Sequence, residues 1–299
     1  MNFLIAGGTG LIGNTLIKSL TQKGHTIYCL TRSTNRENSG QIFYINWEQA
    51  LDNSATALPD PIHAVINLAG ESLNSGRWTA SRKQRIVESR LAATDKLISI
   101  IKQLPDRPKV WLNASAIGVY GTSLTNNFTE ASNLGNDFLA DTVKQWEAHA
   151  QHAEHLGIRT VYCRFGLVLS KDGGAFPTLL LPYKLFVGGN LGSGNQWASW
   201  IHIEDVVGGM QFIIEDDTIS GPVNFTAPAP VKMHVLGKTI SRHLHRPHWL
   251  PVPSPLLKLV LGEMSILVAE GQHVLPTVLT RQGYPFAFAS IESAISSFD

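Results

Sequence analysis

Five short runs, Phe3–Ala6, Thr26–Thr31, Ala64–Leu68, Lys109–Ala114 and Arg159–Leu169, are dense in aliphatic, β-branched and aromatic residues and show little polar alternation. That pattern is expected of strands covered on both faces. Between them, Leu11–Gln22, Ala80–Gln103 and Asn136–His155 space their apolar positions closer to a helical period. Strands separated by helices need right-handed crossovers, so the pattern predicts an α/β fold built on a parallel sheet. Beyond about Asp172 the chain breaks into segments punctuated by Gly173-Gly174, Gly188-Gly189 and Gly192 to Gly194, then by Pro228, Pro230, Pro251, Pro253 and Pro255. Short helical runs are expected from Leu256 and from Ser290. No internal repeat or low-complexity tract interrupts this order.

The first strand runs straight into Gly7-Gly8-Thr9-Gly10-Leu11-Ile12-Gly13. In Gly-x-x-Gly-x-x-Gly the first glycine permits the tight strand-to-helix turn. The second lets backbone amides approach a pyrophosphate, and the third lets the helix pack on the strand. The positive end of the helix dipole then faces the phosphates. Lying directly between a strand and an amphipathic helix, the motif predicts a Rossmann-type doubly wound sheet that binds a dinucleotide. The second strand ends Leu30-Thr31-Arg32-Ser33, with no acid to grip the ribose hydroxyls. Arg32, with Ser33 beside it and Arg36 nearby, instead offers a guanidinium fork suited to a 2′-phosphate, so NADP(H) is the expected cofactor. The alternative is that Arg32 is a solvated strand end.

Composition narrows the partners. At 299 residues and 43% hydrophobic content, the chain can form one large α/β domain with a smaller appendage. The net charge of +1, without blocks of like charge, leaves no electrostatic footprint for nucleic acid or an anionic membrane, so the expected partner is a small molecule. Cys29 and Cys163 lie in strand-like runs and form no CxxC, which argues for core thiols in a reducing compartment and against structural zinc or any metal site. The start Met1-Asn2-Phe3 has no basic leader, and no apolar stretch approaches the ~18–20 residues of a membrane span. A cytoplasmic protein is expected.

Further motifs carry a family resemblance along nearly the whole chain. They are Asn67-Leu68-Ala69-Gly70-Glu71 with Arg77-Trp78, Ser115-Ala116-Ile117-Gly118-Val119-Tyr120-Gly121, and Arg164-Phe165-Gly166-Leu167-Val168-Leu169. Trp200-Ile201-His202-Ile203-Glu204-Asp205, Leu261-Gly262-Glu263-Met264 and Val274-Leu275-Pro276 follow. In these the chain resembles the extended and atypical short-chain dehydrogenase/reductases, more closely an NAD-dependent epimerase/dehydratase-like family with a C-terminal domain of unknown function. The resemblance implies that Leu68, Ala69, Gly70 and Glu71 border the adenosine ribose and pyrophosphate, and that Leu167 and Val168 lie near the nicotinamide. It divides the chain into a Rossmann NADP-binding domain over 1–170, with contributions from about 196–228, and a smaller substrate-side region over 171–299 that includes the family C-terminal domain from about 248. It also raises dimerisation through the flanking helices at 80–103 and 136–155, whose apolar content permits a homodimer.

Catalytic members of that superfamily carry Tyr-x-x-x-Lys on one helix face, with an upstream Ser or Thr that orients the carbonyl. Ser115 fills the upstream position, but alignment on Glu147 puts Leu139 and Val143 where the tyrosine and lysine belong. No tyrosine occurs in that helix, and Lys144 is expected to face solvent. Tyr120 reads as core or pocket wall before proton donor; Ser115 and Tyr120 remain the candidate catalytic hydroxyls. Among the charged candidates Glu71, Arg77, Glu130, Arg164, His202 and Asp205, Arg77 has two readings: a clamp for a cofactor or substrate anion, or a bridge to Glu71. Arg164 ends a buried strand and must pair or meet an anion. His202 reads as a packing residue and Asp205 as a cap or loop anchor. His243, His245 and His248 read as surface. Two functions stay open: an NADP(H)-dependent oxidoreductase or nucleotide-sugar-epimerase-like enzyme without the usual pair, and a non-catalytic NADP(H)-binding sensor or scaffold.

Overall fold

The computed structural model describes residues 1–33, 36–52, 57–58 and 61–298. Its centre is a seven-stranded parallel sheet of β1 (Asn2–Ala6), β2 (Thr26–Thr31), β3 (Ile42–Asn46), β4 (Ala64–Asn67), β5 (Val110–Ala116), β7 (Arg159–Phe165) and β11 (Gly221–Phe225), in the order β11-β7-β5-β4-β1-β2-β3; the short strands β6 (Asn127–Phe128), β8 (Leu167–Leu169), β9 (Trp197–Ala198) and β10 (Trp200–His202) lie outside it. The doubly wound α/β fold expected from the periodicity is present. The order reverses between β1 and β4, and such a switch point opens a crevice at the carboxyl ends of the strands. Alternate residues explain the two faces. Phe3 and Ile5 of β1 meet Leu16, Ile17 and Leu20 of α1 (Leu11–Gln22) and Val206, Met210 and Ile213 of the later helix 203–215. Leu4 and Ala6 point the other way, toward Leu97, Ile98 and Ile101 of the helix at 80–102.

The remaining helices are α2 (Trp47–Asp52), α3 (Ala80–Lys102), α4 (Phe138–Ala150), α5 (Phe176–Lys184), α6 (Ile203–Glu215), α7 (Met233–Leu244), α8 (Ser254–Leu261), α9 (Ile266–Ala269), α10 (Thr277–Arg281) and α11 (Ile291–Ser296). Boundaries follow local chemistry. Thr79 and Asp137 cap α3 and α4 by accepting from the amides of Arg82 and Ala140. The run read as one strand over 159–169 is two, because at Gly166 a Cβ would stand 2.2 Å from the Ser199 carbonyl oxygen. The chain therefore leaves the central sheet there and continues as Leu167–Leu169, paired with Trp200–His202. β3 and β11 escaped the sequence reading; β11 opens Gly221-Pro222, an unlikely central strand but an acceptable edge.

A second core holds the C-terminal region together: Phe176 and Tyr183 of α5, Leu236 and Ile240 of α7, and Ile291 and Ile295 of α11 pack around Trp200. Asp205 ties that region to α6, accepting from the amides of Ala287 at 2.8 Å and Phe288 at 2.9 Å and from the Tyr284 hydroxyl at 3.2 Å. Of its two readings, the loop anchor is the one observed.

Candidate functional site

Gly7 turns the chain with φ +80°, and a Cβ there would lie 2.5 Å from the carbonyl carbon and oxygen of Leu68. A Cβ on Gly13 would lie 2.4 Å from the Gly7 oxygen, so the start of α1 sits directly on the turn. Gly10, by contrast, is exposed, and its nearest obstacle is 3.4 Å away. Gly10 also offers α1 no capping side chain, and the amide of Asn14 is the first to bond back, to the Gly10 carbonyl at 2.8 Å. The amides of Leu11, Ile12 and Gly13 are therefore left for an external acceptor. The residues fit a phosphate-bearing cofactor: crowding where backbone meets backbone, open space where a ligand would lie, and uncapped amides between.

At the end of β2, Arg32 and Ser33 are exposed. Among the described residues no carboxylate pairs with Arg32, whose carbonyl accepts from Asn46 Nδ2 at 3.5 Å. Arg36 lies over the Tyr44 ring at 5.1 Å. At the end of β4 the buried Asn67 amide donates to Asn113 Oδ1 at 2.8 Å and Thr94 Oγ1 at 3.0 Å, which fixes the strand end before Leu68, Ala69 and Gly70. Arg90 then holds the Glu71 carbonyl at 3.0 Å; burial lowers its pKa to about 10. The Glu71 carboxylate takes Arg82 at 2.7 Å. The bridge from Arg77 to Glu71 is accordingly not formed: Arg77 donates instead to the carbonyls of Leu259 at 2.6 Å and Val260 at 2.8 Å, closing the C-terminal end of α8.

These contacts bring α8 and the segment after it over the start of α4, and a cleft of about 450 Å³ lies between them. Trp78, Phe138, Leu139, Ile266 and Ala269 form its apolar walls; Asp137, Glu263, Glu270 and Lys258 stand among them. Leu139, the residue at the tyrosine position, faces this space, whereas Val143 is buried against Val119, Tyr120 and Val274. The cleft was missed in the sequence, because its walls come from three segments up to 192 positions apart with no shared motif.

The candidate hydroxyls belong to a buried chain behind the cleft. Ser115 donates to Glu147 Oε1 at 2.6 Å. Arg164 grips both oxygens of Glu147 at 2.8 Å and donates to the Tyr120 hydroxyl at 2.9 Å, which in turn donates to Asn224 Oδ1 at 2.7 Å. Burial raises the Tyr120 pKa, and the adjacent Arg164 only partly offsets it. Neither Ser115 nor Tyr120 lines the cleft. Arg164 resolves as paired. Glu130 accepts from the amides of Asn224 at 3.1 Å and Val278 at 3.2 Å, joining the central sheet to α10. Lys144 is only half-exposed, bonded to Asp141 at 2.7 Å and to the Gly135 carbonyl at 3.0 Å.

Residues 3–225 match the NAD dependent epimerase/dehydratase family, and residues 252–298 match a domain of unknown function, DUF1731. The chain belongs to the NAD dependent epimerase/dehydratase family. It is 45% identical to epimerase family protein YfhF of Bacillus subtilis over 99% of this chain and 97% of that one. It is 44% identical to epimerase family protein SH2119 of Staphylococcus haemolyticus, over 98% and 97%. Human epimerase family protein SDR39U1, solved with NADPH, superposes with a TM-score of 0.89 at 32% identity, covering 100% of this chain and 99% of that one. The fold alone is shared with UDP-glucuronic acid 4-epimerase from Bacillus cereus, solved with UDP-glucuronic acid and NAD (TM-score 0.78, 15% identity, 100% and 98% covered).

Two histidines of this family member, His202 and His248, have structural roles. His202 caps α6, its Nδ1 accepting from the Glu204 amide at 3.2 Å, and its ring lies 3.9 Å from that of Phe288. His248 is half-buried and not a free surface ring: Tyr183 and Asn190 hold its two nitrogens at 2.9 and 2.8 Å. His243 lies in α7 and His245 ends it with φ 52°. Cys29 and Cys163 are buried free thiols, and burial pushes both pKa values up. Among the described residues no group of three His, Cys, Asp or Glu is placed to hold a metal, and no helix is long and apolar enough to cross a membrane.

Burial lowers the His202 pKa from 6.5 to about 4. The unfolded chain takes up this proton below pH ~6.5 while the native state resists it, so stability present above that pH is lost as pH falls toward 4. His202→Asn, which retains a capping acceptor but does not titrate, is expected to flatten the fall in urea midpoint between pH 6.5 and 4. An unchanged slope would place the acid sensitivity elsewhere.

Proposed function

We propose that this protein is an NADP(H)-dependent oxidoreductase of the epimerase type, acting on a small molecule held in the cleft beside Leu139. The observation that carries the reading is the pairing of an uncapped glycine turn with an exposed, acid-free Arg32 at the end of β2. The NADPH in the human relative supports the same choice. In this reading the amides of Leu11, Ile12 and Gly13 hold the pyrophosphate, with Gly7, Gly8, Thr9 and Gly10 shaping the turn. Arg32 and Ser33 take the 2′-phosphate, and Leu68 to Glu71 border the ribose. Ser115 sits beneath the strand ends, and Leu167 and Val168 line the nicotinamide side. NADP(H), when bound, supplies or takes up a hydride.

Ser115 and Tyr120 act as positioning residues in this reading. Their hydroxyls are engaged by Glu147 and by Arg164 and Asn224, and they keep the ends of β5 and β7 in register. Leu139 and Val143 exchange no proton; Leu139 supplies an apolar wall that excludes water from the reacting centre, and Val143 packs behind it. A cytoplasmic location and a homodimer through α3 and α4 belong to the same proposal, supported by the free thiols and the exposed flank of those helices.

Arg32→Asp is expected to weaken NADPH binding roughly 10- to 150-fold, the loss of a charge-assisted contact worth about 1.5–3 kcal/mol, while NADH binding changes little. Fluorescence titration of both cofactors checks it; an undiminished NADPH preference removes Arg32 from the site. Leu139 and Val143 favour the rival reading of a non-catalytic sensor or scaffold. The walled cleft beside Leu139 favours the enzyme. Oxidation of NADPH by any carbonyl in a broad panel eliminates the sensor, and tight NADPH binding without turnover across that panel eliminates the enzyme.

A further inference from the structure

We propose that the cleft beside Leu139 binds an apolar, ring-bearing carbonyl compound or its alcohol, and not a nucleoside diphosphate sugar. This rests on the preceding reading that the cleft receives the substrate. At about 450 Å³ the cleft falls within the range of small-molecule sites. Its aromatic wall is pre-arranged: Trp78 and Phe138 meet edge to face at 5.3 Å, and the Trp78 indole nitrogen already donates to the Leu73 carbonyl at 3.0 Å. With that polar edge satisfied, what remains of Trp78 is apolar surface, while the Phe138 ring also carries the Lys83 ammonium 5.0 Å from its centroid. Leu139, Ile266 and Ala269 complete a lining that stabilises a flat hydrocarbon body in proportion to the apolar area removed from water.

A diphosphate needs the opposite surroundings, namely guanidinium forks or free helix amides. No arginine lines the cleft. The helix that starts at it, α4, has its N-terminus filled by a carboxylate of the protein, since Asp137 accepts from the Ala140 amide at 2.8 Å. Glu263 is ion-paired with Lys83, and Glu270 accepts from the Thr122 hydroxyl at 2.7 Å, so both carboxylates are fixed along the walls. Lys258, the one cation of the lining, is exposed on α8. A ligand with two or more negative charges would meet three carboxylates against two lysines, of which Lys83 is already engaged by Glu263. An uncharged ring compound meets no such opposition, and its carbonyl oxygen can accept from a single donor or from water.

The test is calorimetric binding to the full-length protein in the presence of NADP⁺, with 1-tetralone and UDP-glucose as the probes. Tetralone is expected to bind at least about ten-fold more tightly than UDP-glucose. Ile266→Arg, which sets a guanidinium in the apolar wall, should weaken tetralone by about the same factor, and so should Leu139→Asn, a change of similar volume that keeps the fold. UDP-glucose binding as tightly as tetralone overturns the proposal, as does tetralone binding indifferent to both substitutions, or no binding of tetralone at all. NADPH titrated separately keeps the two ideas apart: its failure to bind defeats the cofactor reading, whereas the probe comparison decides what the cleft takes.

Discussion

Glu147→Leu is expected to lower the unfolding free energy by about 3–5 kcal/mol, the cost of stranding a buried charge. Arg164 is 4% exposed and holds both carboxylate oxygens of Glu147 at 2.8 Å. Burial by itself pulls the Arg164 pKa down; the bond to Glu147 and its charge more than reverse this, so the guanidinium stays ionised in the interior. Leucine would leave that charge without its anion and Ser115 without its acceptor, at the place where β5, β7 and α4 meet. Glu147→Gln, which keeps acceptor and shape but not charge, should cost less. Arg164→Met added to Glu147→Leu should recover much of the loss, because an apolar pair carries no desolvation cost. Urea unfolding at neutral pH measures all three. A Glu147→Leu loss under about 1 kcal/mol would mean that water reaches Arg164 and that the pair is not a buried one.

Gly7→Ala is expected to abolish NADPH binding and to destabilise the fold by about 2–5 kcal/mol. The two contributions are about 1–2 kcal/mol for an L residue at positive φ and about 1–3 kcal/mol for a methyl forced into packed surroundings. The second applies because the new Cβ would stand 2.5 Å from two backbone atoms of Leu68, which a rotamer change cannot relieve. Either β1 or β4 must move at its carboxyl end, and the amides of Leu11, Ile12 and Gly13 move with α1. Gly10→Ala is the control: its nearest neighbour lies 3.4 Å away and its φ of −76° suits any residue, so stability should hold. NADPH affinity should still fall there, since the added methyl enters the space left open for the ligand. Full NADPH affinity in a folded Gly7→Ala protein would detach the cofactor from this turn.

The central fold was legible because its signals are local. Helix α1 occupies the predicted Leu11–Gln22, and the strands at Phe3–Ala6 and Thr26–Thr31 differ by at most one residue from those observed. Buried parallel strands must be apolar throughout, and a tight turn must carry glycine, so residue type alone signals both. The absence of a Tyr-x-x-x-Lys pair was equally readable, since Leu139 and Val143 cannot titrate wherever they point. The expected strands omit Ile42–Asn46, although its sequence, Ile-Phe-Tyr-Ile-Asn, suits a strand. At the sheet edge it completes the order beyond β2 without altering the site.

What the sequence by itself determined is the glycine turn, the cofactor class it implies and the α/β order, because each depends on backbone freedom or on periodicity within one segment. What only the tertiary structure decided is the partner of each charged group and the shape of the site. Arg77 had two readings in the sequence and in the fold closes the end of α8, 182 positions further on, since Arg82 already occupies Glu71. Ser115 and Tyr120 carry the same hydroxyls in either setting, yet Glu147, Arg164 and Asn224 turn them inward, away from the cleft. A side chain's chemistry is set by the groups within ~3 Å of it, and in a buried site those groups are supplied by distant segments that only the packed fold brings together.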